Sequence, residues 1–287
     1  KCTKKIKSLD IEAVSVCYLN SYANPIHEVK TGEILRKLFP DLYVSISAEV
    51  LPQMKEYERT STTVINSYVG PPVKKYIESL VKQMKNSGFK KSRLMVMQSS
   101  GGILDSVSVV KKPAQIIECG PAAGVIGAQF MSKLTRYENL ITLDMGGTTA
   151  KMGLIKDGKP TISDNFEIGR VHRFKKGSGL PVKIPTIELI EIGAGGGSIA
   201  HVDELGLLKV GPESAGADPG PACYERGNKY PTVTDANLVL GIINPDNFLG
   251  GRMQLNKDLS KEVIKENIAN KLKISLIDSA LGIYKIV

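Results

Sequence analysis

The chain has 287 residues, enough for one large domain or two ordinary ones with an ample core. Apolar residues make up 42% and tryptophan is absent, which excludes a disordered tract and sets a soluble globular class. Lysine plus arginine (38) exceed aspartate plus glutamate (29) for a net charge of +9, but the lysines fall in short pairs such as Lys4-Lys5, Lys90-Lys91 and Lys175-Lys176, so no nucleic-acid partner is expected.

In chain order, residues 13–19 predict a buried strand, and Pro25-Ile26-His27-Glu28 opens a helix with Val29, Ile34, Leu35 and Leu38 on its apolar face. Residues 42–47 read as a second strand. Residues 57–63 are weak helix formers, although Val64, Ile65 and Tyr68 keep helical spacing. Pro71-Pro72 predicts a break, followed by an amphipathic helix over residues 73–86 that stops at Ser87-Gly88. Residues 94–97 form a strand that turns at Ser99-Ser100-Gly101-Gly102. Residues 121–134 form a helix whose Ala122, Ala123, Gly124, Gly127 and Ala128 suit close packing on a sheet. Next comes a hairpin: Leu140-Ile141-Thr142-Leu143, an acidic residue Asp144, the turn Gly146-Gly147-Thr148-Thr149, and Met152-Gly153-Leu154-Ile155. A Gly- and Pro-rich section covers roughly residues 158–232, and helices are predicted over 235–240, 259–272 and 276–287. Strands alternating with helices imply an α/β sheet.

Cys2, Cys17, Cys119 and Cys223 are far apart with no CxxC, so neither a zinc cluster nor a secreted disulfide framework is expected. No signal peptide and no bilayer-length apolar run appear, which predicts a cytoplasmic protein without a membrane partner. Lys1 in place of Met and an uncapped helical end read as a chain cut from something longer.

The glycine clusters carry the chemistry. Backbone N–H groups in a glycine turn can approach an oxyanion because no Cβ intervenes, a Thr hydroxyl adds a donor, and a carboxylate at the strand end can hold Mg²⁺ or orient a water. Asp144, Gly146, Gly147, Thr148 and Thr149 supply all of these; a tight turn with a capping Asp is the plain alternative. Gly195-Gly196-Gly197-Ser198 follows an apolar run, and consecutive glycines lose much backbone freedom on folding, so close approach of backbone to a ligand or another strand is expected there. Residues 211–224 are too Pro-rich for a helix or central strand and predict an ordered loop. Thr234 or Asp235 is expected to cap the helix after it, at an end that can also face an anion. His27, His172 and His201 read as surface or satisfied core histidines, with His201-Val202-Asp203 also compatible with a metal or acid–base role.

Several segments, in order, resemble one family: Tyr22-Ala23-Asn24-Pro25 with His27-Glu28, residues 56–63, Met97-Gln98-Ser99-Ser100-Gly101-Gly102, Gly120-Pro121-Ala122-Ala123-Gly124, residues 144–148, 192–200, 211–224 and 231–237. Together they resemble the hydantoinase A / 5-oxoprolinase family, the ATP-dependent N-methylhydantoinases, which acetone and acetophenone carboxylase subunits share. The resemblance implies an α/β, actin-like ATPase fold of the ribonuclease-H-like, sugar kinase and Hsp70 type, here incomplete and with a Gly/Pro-rich insertion. Residues 1–135 would be an α/β part on the substrate side, and 136–287 the ATPase lobe. It also implies ATP and Mg²⁺ as cofactors, a small cyclic amide or ketone as substrate, and phosphorylation of an amide carbonyl before water opens the ring.

Under this resemblance Asp144 is the catalytic and Mg²⁺-holding carboxylate; Gly146, Gly147, Thr148 and Thr149 receive phosphate; and Gly195, Gly196, Gly197 and Ser198 lie by the nucleotide or support its loop. Arg59, Thr60 and Ser61 are expected to reach the substrate cleft, with a structural ion pair for Arg59 as the alternative. The implied partners are the missing N- and C-terminal parts of the same enzyme and a hydantoinase B-like subunit; the isolated chain should bind ATP weakly and turn nothing over. Where many relatives carry Asp just after the turn, this chain has Ala150-Lys151, and Lys151 is expected either to neutralise phosphate or to be solvated. A ketone carboxylase subunit and a non-catalytic, nucleotide-binding actin-like partner are the competing readings.

Overall fold

A computed structural model describes residues 2–169 and 177–287; His172 and the Lys175-Lys176 pair lie outside the described residues. The chain forms two compact units, Lys1–Leu140 with Leu154–Glu188, and Ile141–Gly153 with Leu189–Val287. Helices and strands alternate through much of the chain, as an α/β protein requires.

The first unit opens with α1 (Cys2–Lys7), β1 (Ala13–Val16), α2 (Ile26–Leu38) and β2 (Tyr43–Ile46). β1 and β2 pair in parallel from Ala13↔Tyr43 to Val16↔Ile46, and α2 supplies the crossover that a parallel pair needs. The buried face of α2 is not the expected apolar one. It consists of Glu28, Gly32 and Leu35, while Val29, Ile34 and Leu38 stay exposed. Leu35 packs with Val16 and Ile46, and Gly32 lets the helix lie against Ile46, so the helix is set close to the strands by a glycine and a buried acid.

After α3 (Ser47–Val50) comes α4 (Glu56–Asn86), one continuous helix that contains Pro71 and Pro72. The predicted break is absent. A proline clashes with the Cβ of the residue before it when that residue is helical; before Pro71 stands Gly70, which has none, so the first proline of the pair is relieved of that clash, while Pro72 follows Pro71 and is not. The space is filled instead by the Tyr43 ring, which a Cβ on Gly70 would overlap. Burial pushes the Tyr43 hydroxyl up to about 12, and it donates to the Val110 carbonyl at 2.6 Å. Gly70→Val should therefore cost about 2–3 kcal/mol, by overpacking that outweighs the helix gain of losing a glycine. A urea unfolding midpoint equal to that of wild type would refute this.

β3 (Met95–Met97) and β4 (Ile103–Asp105) form a hairpin through the predicted Ser-Ser-Gly-Gly turn, where Gly101 has φ +86°. The Asp105 side chain caps α5 (Ser106–Lys111) by accepting from the Val107 and Ser108 N–H groups. α6 (Cys119–Thr135) and the strands β5 (Leu140–Met145) and β6 (Ala150–Lys156) follow. The Gly- and Pro-rich section contains short strands: β7 (Lys159–Pro160), β8 (Ile162–Ser163), β9 (Phe166–Ile168), β10 (Leu180–Val182) and β11 (Thr186–Ile187). β9 pairs with β10 and β8 with β11, and Val182 and Ile184 join Ile65 of α4 in a small core.

In the second unit, β12 (Leu189–Ile192) pairs antiparallel with β6 from Leu189↔Gly153 to Ile192↔Ala150, giving the order β12-β6-β5. β13 (Ser198–Val202) and β14 (Leu208–Ser214) form a two-stranded ribbon. Pro212, in the segment expected to be loop, is therefore in a strand, and it is tolerated because a two-stranded ribbon has only edges. The helices α7 (Val233–Val239), α8 (Lys257–Ile264), α9 (Asn270–Leu272) and α10 (Leu276–Ile286) complete the unit, with a π-turn at Lys265–Ala269 between α8 and α9. Val233, Ala236, Val239, Ile264, Ile268, Ala280 and Ile283 form its core with Ala200 of β13. Among the described residues no helix is long and apolar enough to cross a membrane.

Candidate functional site

The β5–β6 hairpin ends in a tight turn, with the Gly146 N–H donating to the Thr149 carbonyl at 2.9 Å. Asp144, Gly146, Gly147 and Thr148 are exposed and Thr149 is half-buried, so the carboxylate and the glycine turn lie at one accessible tip. The triple-glycine run holds this tip from below. Gly196 N–H donates to the Gly146 carbonyl at 2.9 Å, and Gly197 N–H to the Gly147 carbonyl at 2.6 Å. A Cβ on Gly195 would sit 2.7 Å from Gly146 O, Gly147 C and Thr148 C. The close approach that the glycines signalled is thus an approach to the hairpin's own backbone.

This support fixes the direction of the remaining donors. In a trans peptide the C=O of one residue and the N–H of the next point opposite ways in one plane. Since the Gly146 and Gly147 carbonyls both face the glycine run, the N–H groups of Gly147 and Thr148 both face away from it. Among the described residues neither N–H has an acceptor. No atom lies within 4 Å of a Cβ built on Gly147. Two adjacent, bare, co-directed amides next to a Thr side chain are donors of the kind that can receive an anion.

The glycine run is itself tied down. The Gly196 carbonyl accepts from the Thr234 N–H and hydroxyl, both at 2.8 Å, and the Gly197 carbonyl accepts from Ala215 N–H at 2.8 Å. Gly195 N–H donates to the buried Ser198 hydroxyl at 2.8 Å. The amides of Gly195, Gly196 and Gly197 therefore already have acceptors, and Ser198 points into the protein. These four residues brace the tip.

Thr234 is positioned by a capping box in which Thr232, not Thr234 or Asp235, is the N-cap. Asp235 is its buried acid: it accepts from Ala222, Cys223 and Thr232 N–H groups and from the Thr232 and Ser260 hydroxyls. One carboxylate thereby fastens the 211–224 segment to α7. Burial and the adjacent Asp235 push the Cys223 thiol well above its ordinary range. Lys151 is not simply solvated: its side chain is only 14% exposed and lies 4.0 Å from Glu191.

A triphosphate with Mg²⁺ fits this arrangement. Mg²⁺ keeps several waters and is held by one or two carboxylates plus the phosphates, so a lone exposed Asp144 beside phosphate donors is an adequate protein ligand set. A closed metal cage is not present among the described residues, which contain no cluster of three or more His, Cys, Asp or Glu able to hold a metal. Asp203 closes the β13–β14 turn by accepting from Leu205 and Leu207 N–H groups, while His201 is exposed.

Arg59, Thr60 and Ser61 lie on α4 in the first unit. Arg59 is buried, and each guanidinium nitrogen has an acceptor: Nε donates to Ser47 Oγ at 3.1 Å, Nη1 to the Gln53 carbonyl at 3.0 Å, and Nη2 to the Tyr18 carbonyl at 2.8 Å and Glu56 at 3.2 Å. Arg59 also stacks over the Tyr22 ring. Thr60 is exposed, and Ser61 is buried with no partner for its hydroxyl. Glu28, which sequence reasoning passed over as a site residue, sits at the centre of the same network. It is fully buried and accepts from Tyr18 N–H, Ala48 N–H and the Ser47 hydroxyl that also binds Arg59. Its place in the sequence, on the helix face shared with Gly32 and Leu35 and otherwise without charge, was the available signal.

A profile of the family described as hydantoinase/oxoprolinase matches residues 59–287. An uncharacterised protein of Methanocaldococcus jannaschii is 47% identical over 289 residues, which covers 100% of this chain and 42% of that protein. The crystal structure of an ATP-dependent caprolactamase from Pseudomonas jessenii superposes with a TM-score of 0.72 at 36% identity, covering 99% of this chain and 40% of that one. A nucleotide-free acetone carboxylase structure, from work on ATP-dependent acetone carboxylation, superposes with a TM-score of 0.81 at 31% identity, covering 99% and 39%. The chain spans about two fifths of the length of these relatives. With the profile extending over most of its length, the chain belongs to the hydantoinase/oxoprolinase family.

Proposed function

We propose that this chain supplies a phosphate-binding lobe of the actin-like ATPase type to an enzyme that activates a cyclic amide at the expense of ATP. The observation that carries the reading is the pair of outward amides at Gly147 and Thr148, held in place through their neighbouring carbonyls. The likeness to an ATP-dependent caprolactamase supports an amide as substrate. Bound ATP would supply the phosphoryl group that turns an amide oxygen, otherwise a poor leaving group, into a good one. Gly147 and Thr148 would donate to phosphate oxygens through backbone N–H, and Thr148 through its hydroxyl. Asp144 would hold Mg²⁺ or orient the attacking water, and Thr149 would shape the turn by accepting from Gly146. Gly195, Gly196, Gly197 and Ser198 would keep the donors aimed. Arg59 would stabilise the first unit without contacting substrate.

The likeness to an acetone carboxylase favours a second reading, in which a ketone oxygen is activated instead. Substrate-dependent ATP consumption by the assembled enzyme separates the two: lactams and hydantoins on one side, ketones with bicarbonate on the other. For the chain itself, titration with ATP and Mg²⁺ should shift the amide resonances of Gly147 and Thr148 first, with no turnover. Asp144→Asn should weaken the Mg²⁺-dependent part of binding by about tenfold, the loss of roughly one charge-assisted contact. Nucleotide-induced shifts confined to other residues would sink the proposal.

A further inference from the structure

The two outward amides at the hairpin tip end two separate hydrogen-bonded chains, and the chains are unequal. Every link is a trans peptide, in which the N–H of one residue lies opposite the C=O of the residue before it. One chain starts at Ser198, whose N–H donates to the Gly195 carbonyl at 3.0 Å. At the other end of that peptide, Gly196 N–H donates to the Gly146 carbonyl at 2.9 Å, and the line leads out through Gly147 N–H. The other chain starts at Thr234. Its N–H and its hydroxyl both donate to the Gly196 carbonyl at 2.8 Å. Gly197 N–H, at the far end of that peptide, donates to the Gly147 carbonyl at 2.6 Å, and the line leads out through Thr148 N–H. A single backbone donor thus stands behind the Gly147 amide, whereas a backbone donor and a side-chain hydroxyl together stand behind Thr148.

Thr234 is itself fixed from outside the tip. Thr232 and Asp235 close the capping box that begins α7, and Asp235 is bonded in turn to Ala222, Cys223 and Ser260. A Cβ on Gly196 would lie 2.8 Å from the Thr234 hydroxyl, so glycine at 196 is what lets that hydroxyl reach the carbonyl. Donors on a carbonyl polarise its peptide and strengthen the N–H at the opposite end, by roughly 10–30% per bond along such a chain. We propose that Thr234 is a positioning residue of the tip: acting through the 196–197 and 147–148 peptides, its hydroxyl aims and strengthens the Thr148 N–H and leaves Gly147 to the other chain. The inference rests on the phosphate reading above, and it makes Thr148 the stronger of the two backbone donors to the anion.

Thr234→Val removes the hydroxyl and keeps the backbone N–H, while Thr234→Ser keeps both. In the nucleotide-free 287-residue protein, Thr234→Val should move the Thr148 nitrogen-15 resonance upfield and leave that of Gly147 in place. Affinity for ATP with Mg²⁺ should fall about threefold, the loss of one polarising donor two peptides away. Thr234→Ser should restore both the resonance and the affinity. Thr234→Ala, which lacks the valine methyls, should repeat the valine result if those methyls crowd the turn and lower the melting temperature. The proposal is overturned by a Thr148 resonance unmoved in the valine and alanine variants, or by equal movement at Gly147 and Thr148, which would mark a general loosening. A serine variant that behaves like valine, or ATP affinity unchanged by the valine and alanine variants, overturns it too. Failure of the wild-type chain to bind nucleotide would sink the phosphate reading instead, and the Gly147–Thr148 comparison would still decide whether Thr234 acts on the tip.

Discussion

Arg59→Ala should destabilise the first unit by about 3–5 kcal/mol, the loss typical of removing one partner from a buried charged network. The guanidinium satisfies the Tyr18 and Gln53 carbonyls and the Ser47 hydroxyl, and it ties α4 to the segment leaving β1 and to α3. Removing it strands those acceptors, each worth about 1–3 kcal/mol when left buried without a donor. It also leaves Glu28, fully buried, without the cation that shares its Ser47 partner. Arg59→Lys should recover only part of the loss, because an ammonium cannot meet acceptors spread over the three guanidinium nitrogens. Equilibrium unfolding in urea with far-UV circular dichroism measures the difference. A shift below about 1 kcal/mol would show the network to be dispensable, as exposed ion pairs are.

Gly195→Val should cost about 2–3 kcal/mol in the second unit and misplace the hairpin tip. The atoms that a Cβ would meet are Gly146 O, Gly147 C and Thr148 C, all backbone, so no side chain can swing away to relieve the overlap. Either the tip lifts, which breaks the bonds from Gly196 and Gly197 N–H, or the glycine run retreats from Thr234 and Ala215. Gly147→Ala is the matched control. Its Cβ would meet nothing within 4 Å and its φ is not in the left-handed region, so its stability should stay within about 0.5 kcal/mol of wild type. Thermal unfolding read with the amide shifts of residues 146–149 separates the two variants. Equal melting temperatures for both would remove the glycine run's bracing role.

Local pattern made much of this legible. The β5–β6 hairpin, the helices after residue 232 and the strands of the parallel pair follow from apolar runs and turn residues. The errors fall where a distant partner decides. The helix passes through Pro71-Pro72, and Gly70 just before them lies under the Tyr43 ring, a contact no window around the prolines contains. The inner face of α2 is Glu28 and Gly32 because the acid finds three donors on other segments, so an apolar count selects the wrong side. The triple glycine signalled a backbone-to-backbone approach but not its target, and the capping position moved to Thr232 because Asp235 is drawn in by residues 222, 223 and 260.

The fastening of the hairpin turn by its carbonyls has a kinetic corollary. A loop that must rearrange to greet its guest spends free energy and time on ordering itself. Here the acceptor half of each peptide is already anchored, so under the proposed function an arriving anion would meet a receptor whose shape was set during folding. Occupancy should then change the tip's environment but hardly its geometry, and association should run at the pace of encounter.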